Sequence, residues 1–256
     1  MTLLEKMKAE FPGLTGDEIF AYIMCGEVMV NGGKVTDPKA KVKNDAIIEL
    51  SLKKYVSRGG LKLEKALSFW NIKCSGKVFL DAGSSTGGFT DALLQQGAAG
   101  VHSVDVGYNQ LSYSLRRDPR VYVHEKTNIM TLDSLDPPAD AAVADLSFRS
   151  ITGAASRIVN IVREHWLIAL IKPQFELSLA NRADFNGVVT DRKVLLETVL
   201  ETAQSILNEG LSVTDIILSP VTGRKGNREF FFLIKSGGEN NMKNLEETVY
   251  KLIFSS

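Results

Sequence analysis

The sequence predicts an α/β protein with a doubly wound, mostly parallel sheet, an antiparallel last strand and a small N-terminal α+β domain. From about residue 61, helical and strand patterns alternate, which is typical of such a sheet. Two of these strands, 141–144 and 166–171, are apolar without alternation, as expected of strands covered by helices on both faces. The 44% of hydrophobic residues suffices for a large core and excludes a disordered chain.

The first 55 residues contain the signals of the small domain. Residues 15–18 precede an apolar run at helical spacing, which predicts a capped amphipathic helix over 19–24. A strand after this helix is interrupted by Asn31-Gly32, the strongest short signal for a β-hairpin. Two shorter segments follow, a strand over 46–50 and a stretch of linker composition over 56–60.

The remaining elements belong to the large domain, 61–256. The predicted strands cover 77–80, 100–104, 121–124, 141–144, 166–171, 211–218 and 229–234, the last two as a closing pair. The predicted helices cover 61–70, 88–94 and 191–207.

Charged residues stand at the predicted strand ends. Ligands of doubly wound sheets bind outside the carboxyl ends of the parallel strands. Four strands place a charge there, namely Asp81, Asp105, Asp145 and Lys172. An antiparallel last strand would bring its first residue, Glu229, to the same rim. Because Lys62 opens the helix that leads into the first strand, we expect one pocket among Lys62, Asp145, Lys172 and Glu229.

A glycine-rich turn over 83–88 follows the first strand. Its pattern is GxxxGG, which differs from the GxGxxG of nicotinamide-dependent oxidoreductases and from a phosphate-binding P-loop. Glycines without Cβ let a backbone approach a ligand, so the turn favours an adenosine group that lacks phosphates. Asp105, one strand later, is then placed to accept hydrogen bonds from ribose hydroxyls. The alternative is a tight strand-to-helix turn that binds nothing.

Charge and composition narrow the function further. The 30 basic and 30 acidic residues balance, but nine basic and four acidic residues lie between Lys34 and Lys65, a local +5 against −5 elsewhere. Such a stripe attracts polyanions, or is a solvated charged face.

The longest apolar run, 166–171, is far below the roughly 20 residues that span a bilayer. Charges directly after residues 1–4 do not resemble a signal peptide, so we expect a cytoplasmic protein.

The spacing of cysteines and histidines does not predict a metal site. Cys25 and Cys74 are far apart and form no CxxC pair, which also fits a reducing compartment. We expect the three histidines, His102, His124 and His165, to be structural or surface residues.

Five ordered motifs resemble the TlyA, or haemolysin A, family: residues 57–63, 81–90, 104–108, 144–148 and 171–176. Members of this family are similar to FtsJ-type RNA ribose 2′-O-methyltransferases that carry an N-terminal S4 RNA-binding domain. The resemblance implies a Rossmann-like methyltransferase sheet, S-adenosylmethionine as donor and ribosomal RNA as acceptor, with a cytidine as target. It also implies a Lys-Asp-Lys-Glu catalytic tetrad, which maps onto Lys62, Asp145, Lys172 and Glu229.

The resemblance and the rim pattern together give the candidate binding residues. The cofactor residues are Asp81, Gly83, Ser84, Ser85, Thr86, Gly87, Gly88, Phe89, Asp105, Val106, Asn128 and Asp145. The RNA-binding residues are Lys34, Lys53, Lys54, Arg58, Arg224, Lys225 and Arg228. The S4-like segment departs from the family at 14–19, which lacks the usual arginine, so its RNA contacts are expected to be weaker or differently aimed.

The central mechanistic role is predicted for Lys172, as a general base or as a charge that stabilises a developing alkoxide. Two other functions stay open at this point. One is an RNA-binding protein with an inactive methyltransferase-like domain. The other is a haemolysin, which the family's second name suggests and for which the sequence offers no membrane-spanning segment.

Overall fold

The computed structural model describes residues 1–24, 26–50, 54–147, 149–177, 187–237 and 242–255. The chain divides into two compact units, Met1–Lys54 and Tyr55–Ser256. None of the helices in these ranges combines the length and the apolar character that crossing a membrane requires.

The first unit packs two helices and a small antiparallel sheet. Its elements are α1 (Leu3–Glu10), α2 (Gly16–Met24), β1 (Val28–Val30), β2 (Gly33–Lys34) and β3 (Ile48–Leu50), with sheet order β2-β1-β3. Thr2 and Glu5 form a capping box at α1, which satisfies backbone N–H groups that the first turn leaves open. The predicted hairpin is confirmed, because Asn31 and Gly32 both adopt positive φ between β1 and β2.

The second unit carries the large sheet. Its helices are α3 (Gly59–Phe69), α4 (Gly88–Gln95), α5 (Tyr113–Arg116), α6 (Ala154–Ile161), α7 (Pro173–Glu176), α8 (Arg192–Asn208) and α9 (Met242–Phe254). Its strands are β4 (Val78–Ala82), β5 (Gly100–Val104), β6 (Val121–His124), β7 (Ala141–Ala144), β8 (Trp166–Ile171), β9 (Leu211–Leu218) and β10 (Phe230–Ser236). Each predicted strand is confirmed within two residues, whereas α5, α6, α7 and α9 lie outside the predicted helices.

The sheet has the order β6-β5-β4-β7-β8-β10-β9. Strands β4 to β8 are mutually parallel, and β10 runs antiparallel to both β8 and β9. The predicted α/β fold with an antiparallel last strand is therefore confirmed. The chain leaves β4 in one direction for β5 and β6 and returns to its other side for β7 and β8. This reversal opens a crevice between β4 and β7, where ligands of such sheets bind.

Apolar layers cover both faces of this sheet. One buried cluster joins α6, α8 and α9 to the sheet and includes Phe230 and Phe232. The other joins α3 and α4 to the opposite face and includes Phe231. Successive residues of β10 thus point to opposite faces, as a strand requires, and all three phenylalanines are fully buried. This two-sided packing fixes the strand ends that form the site.

The segment predicted as a linker, 56–60, is instead part of the second unit. Tyr55 is 3% exposed, and the Val56 N–H donates to Asp91 of α4 at 2.8 Å. Helix α3 begins at Gly59, and a Cβ on Gly88 would lie 3.0 Å from the Gly60 nitrogen. The glycines that suggested a flexible linker are therefore small residues that let α3 pack closely on α4.

Candidate active site

One cavity of about 870 Å³ lies at the carboxyl ends of the parallel strands in the second unit. The predicted cofactor residues that line it are Gly83, Ser84, Ser85, Thr86, Gly88, Phe89, Asp105, Val106, Asn128 and Asp145. All four predicted catalytic residues, Lys62, Asp145, Lys172 and Glu229, line the same cavity. The sequence-based prediction of one pocket at this rim agrees with the structure.

The glycine turn forms the wall of the cavity at the β4–β7 crevice. Gly83 has φ +87°, and a Cβ there would lie 2.6 Å from the carbonyl oxygen of Asp145. Only glycine fits, because both the backbone conformation and the space exclude a side chain. Ser85 adopts positive φ without being glycine, a strained conformation that often marks a functional loop.

Asp105 is fixed by the turn that it faces. Its Oδ2 accepts a hydrogen bond from the Ser85 N–H at 2.8 Å, and its Oδ1 accepts one from the Gly107 N–H at 2.7 Å. Each carboxylate oxygen has a further lone pair for a ligand hydroxyl. Asp105 is therefore placed to bind the two hydroxyls of a ribose. The glycine turn beside it lets the same ligand contact the backbone.

Two further predicted cofactor residues stand beside Asp105. Val106 is 71% exposed although it is apolar, so it offers a surface for a flat ring at the cavity. The Oδ1 of Asn128 accepts from the Met130 N–H at 3.0 Å and caps the short 3₁₀ turn Ile129–Thr131. Asn128 therefore shapes the wall as well as lining it.

The predicted tetrad consists of two ion pairs. Lys62 Nζ lies 2.5 Å from Glu229 Oε2, and Lys172 Nζ lies 2.6 Å from Asp145 Oδ1. The Glu229 side chain is only 3% exposed and that of Lys62 12%, whereas Asp145 is 25% exposed. Charges buried to this degree need a partner, because their separation from water is costly.

Strand pairing explains why residues distant in sequence meet here. Phe230 at the start of β10 pairs with Ile171 at the end of β8. Glu229 precedes the first of these residues and Lys172 follows the second, so both lie at the same rim. The antiparallel direction of β10 is thus what brings Glu229 to the carboxyl ends of the parallel strands.

Asp81 does not lie at this rim, contrary to the prediction. It is fully buried inside β4, where its Oδ2 accepts from the Thr90 hydroxyl at 2.7 Å, and it lies outside the cavity lining. Burial raises its pKa to about 7, against the lowering effect of the Thr90 hydrogen bond. Strand β4 continues to Ala82, two residues beyond the predicted end at 80, so Asp81 lies inside the strand and turns inward towards Thr90.

Two other predicted binding residues, Gly87 and Arg228, also lie outside the cavity lining. Gly87 is buried under α5, since a Cβ there would meet Leu115 and Leu111 rather than the cavity. Arg228 donates to the backbone carbonyls of Leu252 and Ile253 at the end of α9. Its guanidinium thus anchors a helix C-terminus, which is favourable for a cation, and lies outside the cavity lining.

The remaining predicted RNA-binding residues divide between the two units. Arg58, Arg224 and Lys225 line the cavity. Lys34 and Lys54 are exposed residues of the first unit. Lys53 lies outside the described residues.

Several cavity residues escaped the sequence analysis. Ser147 accepts a hydrogen bond from Lys172 Nζ at 2.8 Å, and the buried Asn227 joins two segments of the wall. Arg149 and Gln174 also line the cavity. The only sequence signal for Ser147 was its place two residues after Asp145. Asn227 gave none, since a polar residue in a basic loop is ordinarily exposed.

His102 and His124 are structural, in agreement with the prediction that all three histidines are structural or surface residues. His102 is buried, with its Nδ1 2.9 Å from His124 Nε2 and its Nε2 2.7 Å from the Pro137 carbonyl. Burial lowers the pKa of both histidines. In the described ranges, no group of three or more His, Cys, Asp and Glu side chains is arranged to hold a metal ion.

Comparison with known proteins identifies the family of the chain. Residues 55–236 match the FtsJ-like methyltransferase family. The chain belongs to this family. Its fold is therefore that of a methyltransferase, for which S-adenosylmethionine is the methyl donor.

Individual relatives cover nearly the whole chain. "Hemolysin A" of Brachyspira hyodysenteriae is 43% identical over 217 residues, which is 81% of this chain and 88% of the relative. The "16S/23S rRNA (cytidine-2′-O)-methyltransferase TlyA" of Mycobacterium tuberculosis is 36% identical over 90% of this chain and 89% of its own. A solved structure, "Putative hemolysin from Streptococcus thermophilus", superposes with a TM-score of 0.72 at 31% identity, covering 98% and 96% of the two chains.

Proposed function

We propose that the chain transfers the methyl group of S-adenosylmethionine to a ribose 2′-hydroxyl of ribosomal RNA. The observation that carries this proposal is the pair of ion pairs, Lys62–Glu229 and Asp145–Lys172, in one cavity with the glycine turn and Asp105. The name of the Mycobacterium tuberculosis relative supports ribosomal RNA as the acceptor and a cytidine as the modified nucleotide. Since ribosomal RNA is intracellular, we place the reaction in the cytoplasm.

The donor side of the cavity fits the adenosine moiety of this methyl donor. Asp105, held by two backbone N–H groups, accepts hydrogen bonds from the ribose hydroxyls, and Val106 contacts the base. The turn at Gly83 brings backbone against the ligand. When bound, S-adenosylmethionine supplies a methyl group that its sulfonium makes electrophilic. The chain's contribution is to align that group with the acceptor oxygen.

The acceptor side must handle one proton. The 2′-oxygen would form a bond to the methyl carbon while the carbon–sulfur bond breaks and its electron pair stays on the sulfur. The O–H proton must also leave, and negative charge develops on the oxygen as it departs. Lys172 is directed by Asp145 at 2.6 Å and by Ser147 at 2.8 Å, which leaves one of its three N–H positions for the substrate. Lys172 then either accepts the proton as a neutral amine or stabilises the alkoxide as an ammonium.

The Lys62–Glu229 pair forms the other part of the acceptor side. Its near-complete burial gives it a fixed geometry and a weakly screened charge. We assign it the orientation of the ribose beside Lys172. Arg58, Arg224 and Lys225 at the cavity contact the phosphates of the RNA, which positions the chain without reading sequence.

The first unit is proposed to be an S4-like RNA-binding domain. Lys34 and Lys54 would add phosphate contacts to those of the second unit. An RNA-binding role of this unit supports an acceptor of ribosomal size rather than a small molecule.

The test is transfer of labelled methyl from S-adenosylmethionine to unmodified ribosomal subunits, followed by mapping of ribose methylation. We expect incorporation at a single 2′-hydroxyl. Lys172→Ala should abolish transfer while its affinity for S-adenosylhomocysteine, measured by calorimetry, stays close to that of the wild type. Lys193→Ala, an exposed lysine on α8, is the matched control and should transfer normally.

The outcomes separate the alternatives. Normal turnover by Lys172→Ala would remove Lys172 from the mechanism. Donor binding without incorporation into subunits or naked RNA would favour an RNA-binding protein with an inactive methyltransferase domain. Failure of the wild type to bind the donor would refute the proposal.

A further inference from the structure

Asn227 is a buried amide that joins two walls of the cavity. It lies between β9 and β10 and is 3% exposed. Its Oδ1 accepts from the Val189 N–H at 2.9 Å, and its Nδ2 donates to the Gly187 carbonyl at 2.8 Å. Both ends of the amide are therefore paired with the backbone of a segment about 40 residues earlier in the chain. A buried amide with both ends satisfied fixes the two segments against each other.

The same residue folds its own loop against Glu229. The Asn227 carbonyl accepts from the Gly223 N–H at 2.8 Å, and the Gly223 carbonyl accepts from the Gly226 N–H at 2.9 Å. Gly223 is thereby held against the Glu229 carboxylate, since a Cβ on Gly223 would lie 2.7 Å from Glu229 Oε1. The loop leaves no room for the carboxylate to swing away from Lys62 on that side.

Both joined segments belong to the cavity. Gly187, Gly223, Asn227 and Glu229 all line it. Gly187 has φ +100°, and a Cβ there would lie 3.3 Å from Lys225 Nζ, so the basic loop also lies close to this segment. Among the described residues, the side-chain hydrogen bonds of Asn227 thus connect the Gly187–Val189 wall to the loop beside the Lys62–Glu229 pair.

We propose that Asn227 is a positioning residue for methyl transfer. Asn227 holds the Gly187–Val189 wall to the 223–228 loop. It thereby keeps the Glu229 carboxylate within hydrogen-bonding distance of Lys62. Asn227 acts through Glu229. This inference rests on the proposed function for its kinetic consequence, and on the hydrogen bonds alone for its structural one.

A turn residue with a purely local role would look different. Asparagines in turns ordinarily bond their own backbone within a few residues. The Asn227 side chain instead spans to Gly187 and Val189, and only its carbonyl serves the local turn. Loss of the side chain should therefore disturb the alignment of the tetrad more than the folding of the loop.

The experiment compares Asn227→Ala with the wild type and with Asn160→Ala, an exposed asparagine of α6. Methyl transfer to ribosomal subunits gives kcat and KM, calorimetry gives the affinity for S-adenosylhomocysteine, and hydrogen exchange gives the protection of the Val189 amide. We expect Asn227→Ala to lower kcat about 10- to 100-fold, the range expected for a lost buried hydrogen-bond partner. The affinity for S-adenosylhomocysteine should change by less than about threefold, and Asn160→Ala should match the wild type.

A second variant separates positioning from folding. In Asn227→Asp a protonated carboxyl has the shape of the amide, with one acceptor for Val189 and one donor for Gly187. An ionised carboxylate lacks that donor. We therefore expect the kcat of Asn227→Asp, relative to the wild type at the same pH, to rise as pH falls from about 8 to about 5.5.

The inference is overturned if Asn227→Ala keeps the wild-type kcat, or if its loss of kcat is matched by an equal loss of S-adenosylhomocysteine affinity. A pH-independent ratio for Asn227→Asp would also overturn it. If the wild type transfers no methyl group, the proposed function fails instead. In that case hydrogen exchange still tests the structural part of the inference. Unchanged protection of the Val189 amide in Asn227→Ala would refute the link between the two segments.

Discussion

Removal of Lys62 is expected to destabilise the fold more than removal of Lys172, although both should abolish catalysis. Lys62→Met keeps much of the side-chain volume but leaves the Glu229 carboxylate, 3% exposed, without its cation at 2.5 Å. Breaking a buried ion pair from one side costs about 3–5 kcal/mol, because an uncompensated charge remains in the interior. Lys172→Met leaves Asp145, whose Oδ1 is buried but whose side chain is 25% exposed, so water reaches part of the carboxylate and we expect a smaller cost of about 1–2 kcal/mol.

Urea unfolding of the two variants, followed by tryptophan fluorescence, measures this difference. The double variant Lys62→Met/Glu229→Gln removes the orphaned charge as well. It should recover most of the lost free energy of unfolding and stay inactive in methyl transfer. Equal destabilisation by Lys62→Met and Lys172→Met would refute the reasoning, as would a double variant as unstable as Lys62→Met alone.

Two further predictions concern strand β4 and the glycine turn that follows it. Asp81, whose pKa burial raises to about 7, keeps its proton in the folded chain at pH values where the unfolded chain loses it. The free energy of unfolding should therefore fall, relative to Asp81→Asn, by roughly 2–3 kcal/mol as pH rises from about 5 to about 8; a pH-independent difference in urea unfolding would contradict this. Gly83→Ala places a Cβ 2.6 Å from the Asp145 carbonyl and should weaken S-adenosylhomocysteine binding at least about tenfold in calorimetry. Gly153→Ala, also at positive φ but with no atom within 4 Å of its Cβ, is the matched control and should bind normally.

The strand pattern of the large domain was readable from the sequence because it is a local property. Continuous apolar runs such as 141–144 and 166–171 mark strands covered on both faces, and the structure has both at the predicted bounds. The carboxyl ends of parallel strands must share one edge of a sheet. Asp145 and Lys172 could therefore be brought together without any knowledge of side-chain geometry.

Helices and connections were less readable. The helix α9 lies outside the predicted elements, and the segment 56–60 has a linker's composition although Gly59 and Gly60 belong to α3. Glycine signals flexibility in a sequence, whereas here it allows α3 to pack against α4. Local composition does not distinguish a flexible glycine from one in a close helix contact. The difference depends on whether a second helix, here α4, packs against the glycines.

The sequence by itself determined the α/β class and brought Lys62, Asp145, Lys172 and Glu229, the four residues of the predicted tetrad, to one rim of the sheet. The tertiary structure decided which of the candidates face the cavity. Asp81 turns inward to Thr90, Arg228 anchors the end of α9, and Asn227 is buried as a link between distant segments. The physical reason is that strand periodicity and order fix where an element ends, while the direction of each side chain depends on register and on segments remote in the chain.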